Sequence, residues 1–236
     1  MTDRQGSASI EQPEYWWYRA RADLLNAALG GYATGIRRML DVGSADGPSV
    51  GWLHGEQHFT VDLDPRGLRR GTGVRASALA LPFRDGDFDL VSAFDVVEHC
   101  DPEAVVLAEL GRVLRPGGRL LLSVPAYQWA WSDHDVRAGH VRRYTRPRLV
   151  APVERAGFVV SRATYGFAAV FPMFAAERLV RRVRSGSAES GDPRLPEPGR
   201  VAEKVLLALC RAEARWLESH DVPFGSSVFV AASKPV

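Results

Sequence analysis

The sequence predicts an α/β fold built on a doubly wound, mostly parallel sheet of seven strands, the last of them antiparallel. Short apolar runs alternate with stretches of helical periodicity along most of the chain. Most runs are continuously apolar, as expected for strands that helices cover on both faces. A length of 236 residues fits one elaborated domain, whose core is large enough to need no disulfide.

The predicted elements follow in order along the chain. Strands are predicted at 39–42, 58–61, 88–94, 119–124, 158–165 and 226–233. Helices are predicted at 14–30, 102–114, 148–157 and 201–217. We interpret 1–236 as a single domain, with an N-terminal lid helix in 1–35, a core in 36–166, a helical cap inserted at 167–222 and the final strand in 223–236. Within the cap, the Ser-, Gly- and Pro-rich stretch 185–199 predicts a flexible loop.

Composition excludes several classes of protein. A net charge of +2 is too small for electrostatically driven binding of nucleic acid. Two cysteines, Cys100 and Cys210, form neither a disulfide framework nor a metal cluster, which fits a reducing compartment. The N-terminus has no apolar signal core, and no apolar run approaches the ~20 residues of a membrane-spanning helix. We therefore expect a cytoplasmic protein.

A glycine-bearing turn follows the first strand and opens toward a helix. Gly43 and Gly47 allow the backbone to pass close to a ligand. Asp41 ends this strand, and Asp62 ends the next one, 19 residues after Gly43. That spacing is typical of a carboxylate that binds ribose hydroxyls, so the segment predicts a nucleoside site.

The residues of the turn favour a cationic nucleoside over a dinucleotide. Ala45 stands where the dinucleotide fingerprint has its second glycine, and Asp46 adds negative charge beside the phosphates that such a ligand would bring. S-adenosylmethionine, with its amino group, ribose and positive sulfur, fits two acids better. An NAD-linked oxidoreductase remains an alternative.

Four segments carry a resemblance to a known family. LDVGSADG, FTVDLDP, LPFRDGDFDLVSAFDVVEH and LGRVLRPGGRLLLSVP resemble the successive motifs of class I S-adenosylmethionine-dependent methyltransferases, over about residues 36–160. The segments are most similar to those of the ubiquinone-biosynthesis type (methyltransferase type 11). Ala45 departs from the usual glycine of the first motif, and Ser77 stands near the place of a common aspartate. The resemblance implies a Rossmann-like fold and a cofactor site formed by Asp41, Gly43, Ser44, Gly47, Asp62, Leu63, Ser77, Ala78 and Phe94.

The segment 124–149 follows the fifth of the strands that the family motifs imply and should cover the ligand crevice. It resembles a subgroup with a Trp-Ser-x-His-Asp…His-x-Arg-Arg-Tyr-Thr signature. A hydroxyl or amine acceptor loses a proton on methylation, and a neutral imidazole suits that task. We interpret His140 as the first candidate base, His134 as the second, and Tyr144 as a group that orients the acceptor; surface or capping roles for the histidines are the alternative. The substrate-binding candidates are Tyr15, Trp17, Tyr127, Trp129 and Arg143.

The same segment raises the question of a metal. Asp133, His134 and Asp135, together with His140, could coordinate a divalent cation, but adjacent acids and imidazoles are weak evidence. The arginines nearby oppose a cation and favour an anionic substrate, if they are not a solvated surface. We expect no metal. For the pair Glu98-His99, a structural or cofactor-side role is preferred to direct catalysis.

The cap begins with an apolar stretch that turns basic toward its end, 167–184. It predicts a wall of the acceptor pocket, or contact with an anionic membrane surface that supplies a lipid-like substrate, or a cap helix packed on 201–217 that could lie within a homodimer. Packing is preferred to membrane contact.

We therefore predict methyl transfer to a bulky apolar or aromatic small molecule, at oxygen. The main alternative is an S-adenosylmethionine-binding module that transfers no methyl group.

Overall fold

The computed structural model describes residues 14–43, 47, 50–184 and 198–236, and only the backbone of 181–184. Ser44 and most of the predicted loop 185–199 lie outside the described residues. The strands are β1 Arg38–Val42, β2 Gln57–Asp62, β3 Gly73–Arg75, β4 Phe88–Phe94, β5 Leu114–Pro125, β6 Val159–Gly166 and β7 Ser227–Ser233. The helices are α1 Trp16–Leu29, α2 Glu103–Val113, α3 Asp133–Ala138, α4 Arg146–Arg155, α5 Phe171–Arg184 and α6 Arg200–Leu217.

These elements form a seven-stranded sheet in the order β3-β2-β1-β4-β5-β7-β6. Every neighbouring pair is parallel except those of β7, which runs antiparallel to β5 and to β6. The predicted α/β class, the mostly parallel sheet and the antiparallel final strand are confirmed. The short strand β3 was not located from the sequence, because three residues carry too little periodicity.

The central strands form the core of the molecule. All seven residues of β4 are buried, and so are six of the seven in β7. Strands covered on both faces gain from apolar side chains at every position, which explains the continuous apolar runs. In the sheet, β1 has β2 on one side and β4 on the other. The strand order therefore reverses between β1 and β4, which is the switch point of the sheet. Ligands of doubly wound sheets bind at the carboxyl ends of strands beside such a point.

Helix α1 packs on the sheet, and α6 packs on α1. Leu24, Leu25 and Leu29 of α1 are fully buried. The helix ends at Leu29, one residue before the predicted end, and Gly30 is its C-cap. Across the parts of the chain that the structure describes, none of the helices combines the length and apolarity needed to cross a membrane. The division into lid, core and cap stays a prediction.

Candidate active site

Asp41 lies at the end of β1 with its carboxyl group almost fully buried. The Ser92 hydroxyl donates to its Oδ1 over 2.6 Å, whereas Oδ2 has no hydrogen-bond partner among the described residues. Burial raises the pKa of Asp41 to about 7; Asp62 acts in the same direction, and Ser92 and Arg21 oppose it. A buried carboxylate oxygen without a partner fits a cationic ligand, because such a ligand would satisfy it.

Gly43 directly follows β1 and brings the backbone against β4. Its φ is +79°, and a Cβ added there would lie 2.5 Å from Cγ2 of Val96. Both facts require glycine at this turn. Gly47 is exposed, and a Cβ added there meets no atom within 4 Å. Of the two glycines, Gly43 is required by the backbone and Gly47 has open space beside it.

The second acid of the predicted nucleoside site lies at the end of β2. Oδ1 of Asp62 accepts a hydrogen bond from the amide of Asp64 over 2.7 Å. Leu63, beside it, is 66% exposed and offers an apolar surface next to the carboxylate. A carboxylate flanked by an apolar side chain suits a ribose and its base.

The other predicted cofactor residues are less exposed to solvent than Leu63. Ser77 accepts a hydrogen bond from the Leu79 amide and belongs to a turn, and Ala78 is half-buried. Phe94 is buried at the end of β4, with its ring 6.2 Å from that of Trp52. No observation tests their contact with a cofactor, so these assignments stay predictions.

Arg21 of α1 is a site residue that the sequence reasoning did not select. Its side chain is 1% exposed; Nη2 lies 2.9 Å from Oδ2 of Asp95 and donates to the Ser123 hydroxyl over 2.7 Å. Asp95 directly follows β4, and Ser123 lies near the end of β5. Arg21 therefore connects α1 to the carboxyl edge of the sheet. Its position four residues after Trp17, on the same helix face, was the available signal.

Three non-glycine residues at the carboxyl edge of the sheet have a positive φ. They are Asp95 at 57°, Tyr127 at 61° and Phe167 at 66°. Each follows the carboxyl end of a strand, β4, β5 or β6. Residues other than glycine rarely adopt this conformation, and such strain concentrates at functional sites.

The first candidate base, His140, is held by a buried carboxylate. Nδ1 of His140 lies 2.8 Å from Oδ1 of Asp135, which has no exposed surface. Arg143 donates hydrogen bonds to both carboxylate oxygens of Asp135, from Nε over 2.7 Å and from Nη2 over 3.0 Å. Although burial raises it, hydrogen bonds from His140 and Arg143 hold the pKa of Asp135 well below its ordinary range. Arg143, predicted to bind substrate, is thus engaged by Asp135 inside the protein.

The other imidazole nitrogen of His140 faces Glu98. Nε2 lies 4.0 Å from Oε1 of Glu98, which is fully buried and has no hydrogen-bond partner in another described residue. Burial raises the pKa of Glu98 well above its ordinary value, and Asp95 acts in the same direction. The exposed His99 packs edge-on against His140, with ring centres 4.7 Å apart. Ligand atoms of Glu98, His99 and His140 lie within 4.8 Å of one another, a different set from the one that the sequence suggested for a metal.

The remaining catalytic candidates point elsewhere. Tyr144 is fully buried and donates its hydroxyl proton to Oε2 of Glu103 on α2 over 2.7 Å. His134 is exposed, and its ring centre lies 6.3 Å from that of His140. The Tyr144 backbone pairs with Ala126 just after β5, but its hydroxyl is engaged by Glu103, whereas the His140 ring is held by Asp135.

An aromatic cluster lies on the same segment. The Tyr127 ring stacks on Tyr165 at 5.5 Å and on Trp129 at 5.9 Å. Phe171, the first residue of α5, contacts Tyr127 at 5.4 Å and Phe224 at 5.7 Å. The cluster forms an apolar wall where the cap meets the sheet.

The predicted substrate residues of α1 fall on two sides of the helix start. Trp17 stacks almost parallel on Phe167, with ring centres 5.3 Å apart, and Arg21 lies over its ring. Tyr15 contacts Trp16 and Tyr18 of its own helix. Trp17 thus contacts Phe167, one of the residues with positive φ that follow the strand ends.

Comparison with known proteins assigns the family. Residues 40–122 match the family model described as a methyltransferase domain. An uncharacterized methyltransferase of Mycolicibacterium gilvum is 32% identical over 184 residues, which cover 66% of this chain and 72% of that protein. The chain belongs to the class I S-adenosylmethionine-dependent methyltransferases. The methyltransferase spans about half the length, 50–56%, of the other mycobacterial relatives that it matches.

Solved structures share the fold of this methyltransferase. A methyltransferase of Thermotoga maritima, described as a possible histamine N-methyltransferase, is 15% identical, with a TM-score of 0.59 and 96% of each chain covered. Phosphoethanolamine N-methyltransferase 2 of Haemonchus contortus, bound to S-adenosyl-L-methionine, is 15% identical, with a TM-score of 0.55, 99% of this chain and 61% of that chain covered. The cofactor of the family is S-adenosylmethionine, and the free Asp41 oxygen, the Gly43 turn and Asp62 fit it. This assignment favours S-adenosylmethionine over the NAD alternative.

Proposed function

We propose that this methyltransferase moves the methyl group of S-adenosylmethionine to a hydroxyl oxygen of a bulky apolar or aromatic small molecule. The observation that carries the proposal is the His140 imidazole, oriented by the buried carboxylate of Asp135 on the segment that also holds the aromatic cluster. This one segment would supply both a base and part of an apolar wall.

The cofactor would be held by the ends of β1 and β2. Asp41 offers a buried oxygen for a cationic group, and Asp62 offers a carboxylate for ribose hydroxyls. When bound, S-adenosylmethionine supplies a methyl group activated by a positively charged sulfur. The positive charge of Arg21 opposes the rise that burial causes in the pKa of both Asp41 and Glu98.

His140 would take the proton of the acceptor hydroxyl. A carboxylate can only accept a hydrogen bond, so in a neutral imidazole the 2.8 Å contact with Asp135 puts the proton on Nδ1 and the lone pair on Nε2, which lies 4.0 Å from Oε1 of Glu98. The acceptor oxygen would have to approach Nε2 beside Glu98. As the acceptor oxygen would form its bond to the methyl carbon, the bond between that carbon and the sulfur would break and S-adenosylhomocysteine would leave, while the hydroxyl proton would move to Nε2 of His140. The imidazolium so formed is stabilised by the negative charge of Asp135.

The shape of the acceptor follows from the apolar wall. Tyr127, Tyr165 and Phe171 contribute aromatic rings rather than charges, and Trp17 stacked on Phe167 adds a second aromatic pair after β6. Aromatic walls bury flat or apolar molecules and exclude water, which a displacement at carbon requires. Arg143 does not supply an anion site in this mechanism, because Asp135 engages it.

The test measures transfer of labelled methyl from S-adenosylmethionine to a panel of phenols and long-chain alcohols. His140→Ala should lower kcat ~10²-fold on the acceptor that reacts best, with unchanged affinity for S-adenosylhomocysteine. Phenols of lower pKa should lose less, because they need less help to ionise. His220→Ala is the matched control, since that imidazole stacks on Trp216 on the exposed side of the cap.

Two outcomes would redirect the proposal. If His134→Ala abolishes transfer and His140→Ala does not, His134 is the base. If S-adenosylhomocysteine binds but labelled methyl leaves for no acceptor in the panel, the chain is a binding module of the kind considered above.

A further inference from the structure

The outward face of α6 has an unusual composition. Across Arg200–Leu217, all of which the structure describes, every exposed residue is apolar or basic. Its inward face is occupied by Leu206, Leu207, Cys210 and Leu217, which are buried. The helix thus satisfies its core packing and still keeps a second apolar surface, which ordinary amphipathic packing does not explain.

The exposed residues of α6 separate into two bands. The first band is apolar: Val201 is 78% exposed, Val205 53%, Leu209 43% and Trp216 55%. At 3.6 residues per turn these four fall within about 80° of the helix circumference. The second band contains the exposed basic residues Arg200, Lys204, Arg211 and Arg215. It covers about 60° directly beside the first. We call these eight residues the α6 face.

Helix α5, the other helix of the predicted cap, also exposes apolar side chains to solvent. Within 171–180, where its side chains are described, the exposed residues are all apolar: Pro172, Met173, Ala176, Leu179 and Val180. The charged residues of this stretch are less exposed, and Arg178 lies over the Phe174 ring at 5.1 Å. None of 171–180 is fully buried. An isolated helix of 14 residues is marginally stable in water, so a surface that covers α5 would stabilise it.

An apolar band with a tryptophan, bordered by a basic band, matches the interface of an anionic bilayer. Apolar side chains and Trp insert at the level of the headgroups, while Lys and Arg contact the anionic lipids. A second copy of the chain fits less well, because a two-fold contact pairs the surface with itself. The absence of acidic residues from the exposed positions of α6 removes the complementary charge that a self-contact needs.

We propose that the α6 face, together with the exposed apolar residues of α5, docks this protein on the surface of an anionic lipid bilayer. Phe171 at the start of α5 belongs to the aromatic cluster of the active site, so docking would place the apolar wall close to the lipid. The proposal needs neither a particular acceptor nor methyl transfer. Its failure is therefore distinguishable from failure of the proposed function.

The test is sedimentation of the full chain with vesicles of phosphatidylcholine and phosphatidylglycerol at 3:1, against phosphatidylcholine alone. We expect binding to the anionic vesicles in low salt and weaker binding in 0.5 M salt, where charges are screened. Val205→Glu with Leu209→Glu should reduce binding more than tenfold. Lys204→Gln with Arg211→Gln should reduce it about 25-fold, at about fivefold for each charge. Val105→Glu, at a 41% exposed valine of α2, is the matched control and should bind as the parent does.

Affinity for S-adenosylhomocysteine checks that every variant is folded. If the double glutamate variant does not fold, the double glutamine variant, which leaves the apolar band intact, decides the test. Absence of sedimentation with anionic vesicles in low salt overturns the proposal, and so does equal binding by the parent and both double variants. Self-association in analytical ultracentrifugation that Val205→Glu with Leu209→Glu abolishes, without vesicle binding, assigns the surface to a second copy.

Discussion

Replacing Asp41 by Asn should stabilise the free protein above neutral pH at the expense of cofactor binding. Burial raises the pKa of Asp41 from 3.8 to about 7 in the folded chain. A carboxyl group with a raised pKa binds its proton more tightly in the folded state. Its contribution therefore favours folding least at high pH, and stability declines as the pH rises from about 4 through 7.

The size of the effect follows from the two pKa values. With 3.8 unfolded and about 7 folded, ionisation of Asp41 costs about 1.7 kcal/mol of stability at pH 5 and about 4.3 kcal/mol at pH 8. Asn does not titrate, and its amide oxygen can still accept the hydrogen bond from Ser92. Between pH 5 and pH 8 the parent should lose about 2.5 kcal/mol relative to Asp41→Asn.

The assay is urea unfolding without cofactor, followed by circular dichroism at pH 5, 6, 7 and 8. Asp89→Asn is the matched control. Although burial raises it, hydrogen bonds from the Arg38 amide and the Arg115 side chain hold the pKa of Asp89 below its ordinary value. Its stabilising effect is lost only as the pH falls toward that pKa, so Asp89→Asn should change stability equally at pH 5 and pH 8.

A constant difference between the parent and Asp41→Asn across this pH range would refute the reasoning. It would mean that Asp41 titrates normally, with both oxygens reached by water. The end of β1 would then be open, and the argument from a buried oxygen without a partner would fail.

Three further predictions concern the cofactor edge. Affinity of the parent for S-adenosylmethionine in calorimetry should fall below pH 7, by up to about tenfold per pH unit, because protonated Asp41 no longer attracts a cation; Asp41→Asn should bind weakly with no such dependence. Asp62→Ala should weaken cofactor affinity by ~1–3 kcal/mol through loss of a charged acceptor, and unchanged affinity would place the ribose elsewhere. Gly43→Ala should destabilise the protein by ~1–3 kcal/mol in urea unfolding, because the φ of +79° is strained for alanine and the new Cβ meets Val96 at 2.5 Å. Gly47→Ala, with open space around its Cβ, is the control, and equal losses from both would contradict the strain.

Much of the fold could be predicted from the sequence, because its signals are local. The strand predicted at 88–94 agrees with β4, and the helix predicted at 102–114 agrees with α2 to within one residue at each end. Turn residues and apolar runs act over a few positions, so they are visible without the tertiary structure. The strand β3 escaped because three residues cannot display a period.

The predicted cofactor acids occupy the places that topology assigns them. Asp41 and Asp62 end neighbouring parallel strands, and carboxyl ends of parallel strands meet at one edge. That argument needs only the order of strands. The hydrogen-bond partners of these acids could not be predicted from strand order, because the Ser92 hydroxyl that donates to Asp41 comes from another strand, 51 residues away in the chain.

The contacts of the residues predicted to bind or deprotonate the acceptor depended more on tertiary packing than the positions of the cofactor acids did. Sequence position could not distinguish Tyr144, whose hydroxyl lies on Glu103, from His140, whose ring lies on Asp135. Nor could it show that Arg143 is engaged by Asp135.

The sequence by itself determined most of the strands and helices and their order, the glycine turn and the two carboxylates beside it, because periodicity and backbone freedom belong to short segments. Only the tertiary structure decided that Arg21 reaches Asp95, that His140 faces Glu98, and that α6 leaves a second apolar band uncovered. These contacts join residues far apart in the chain. Their geometry follows from how helices and strands pack together, which no local pattern of residues encodes.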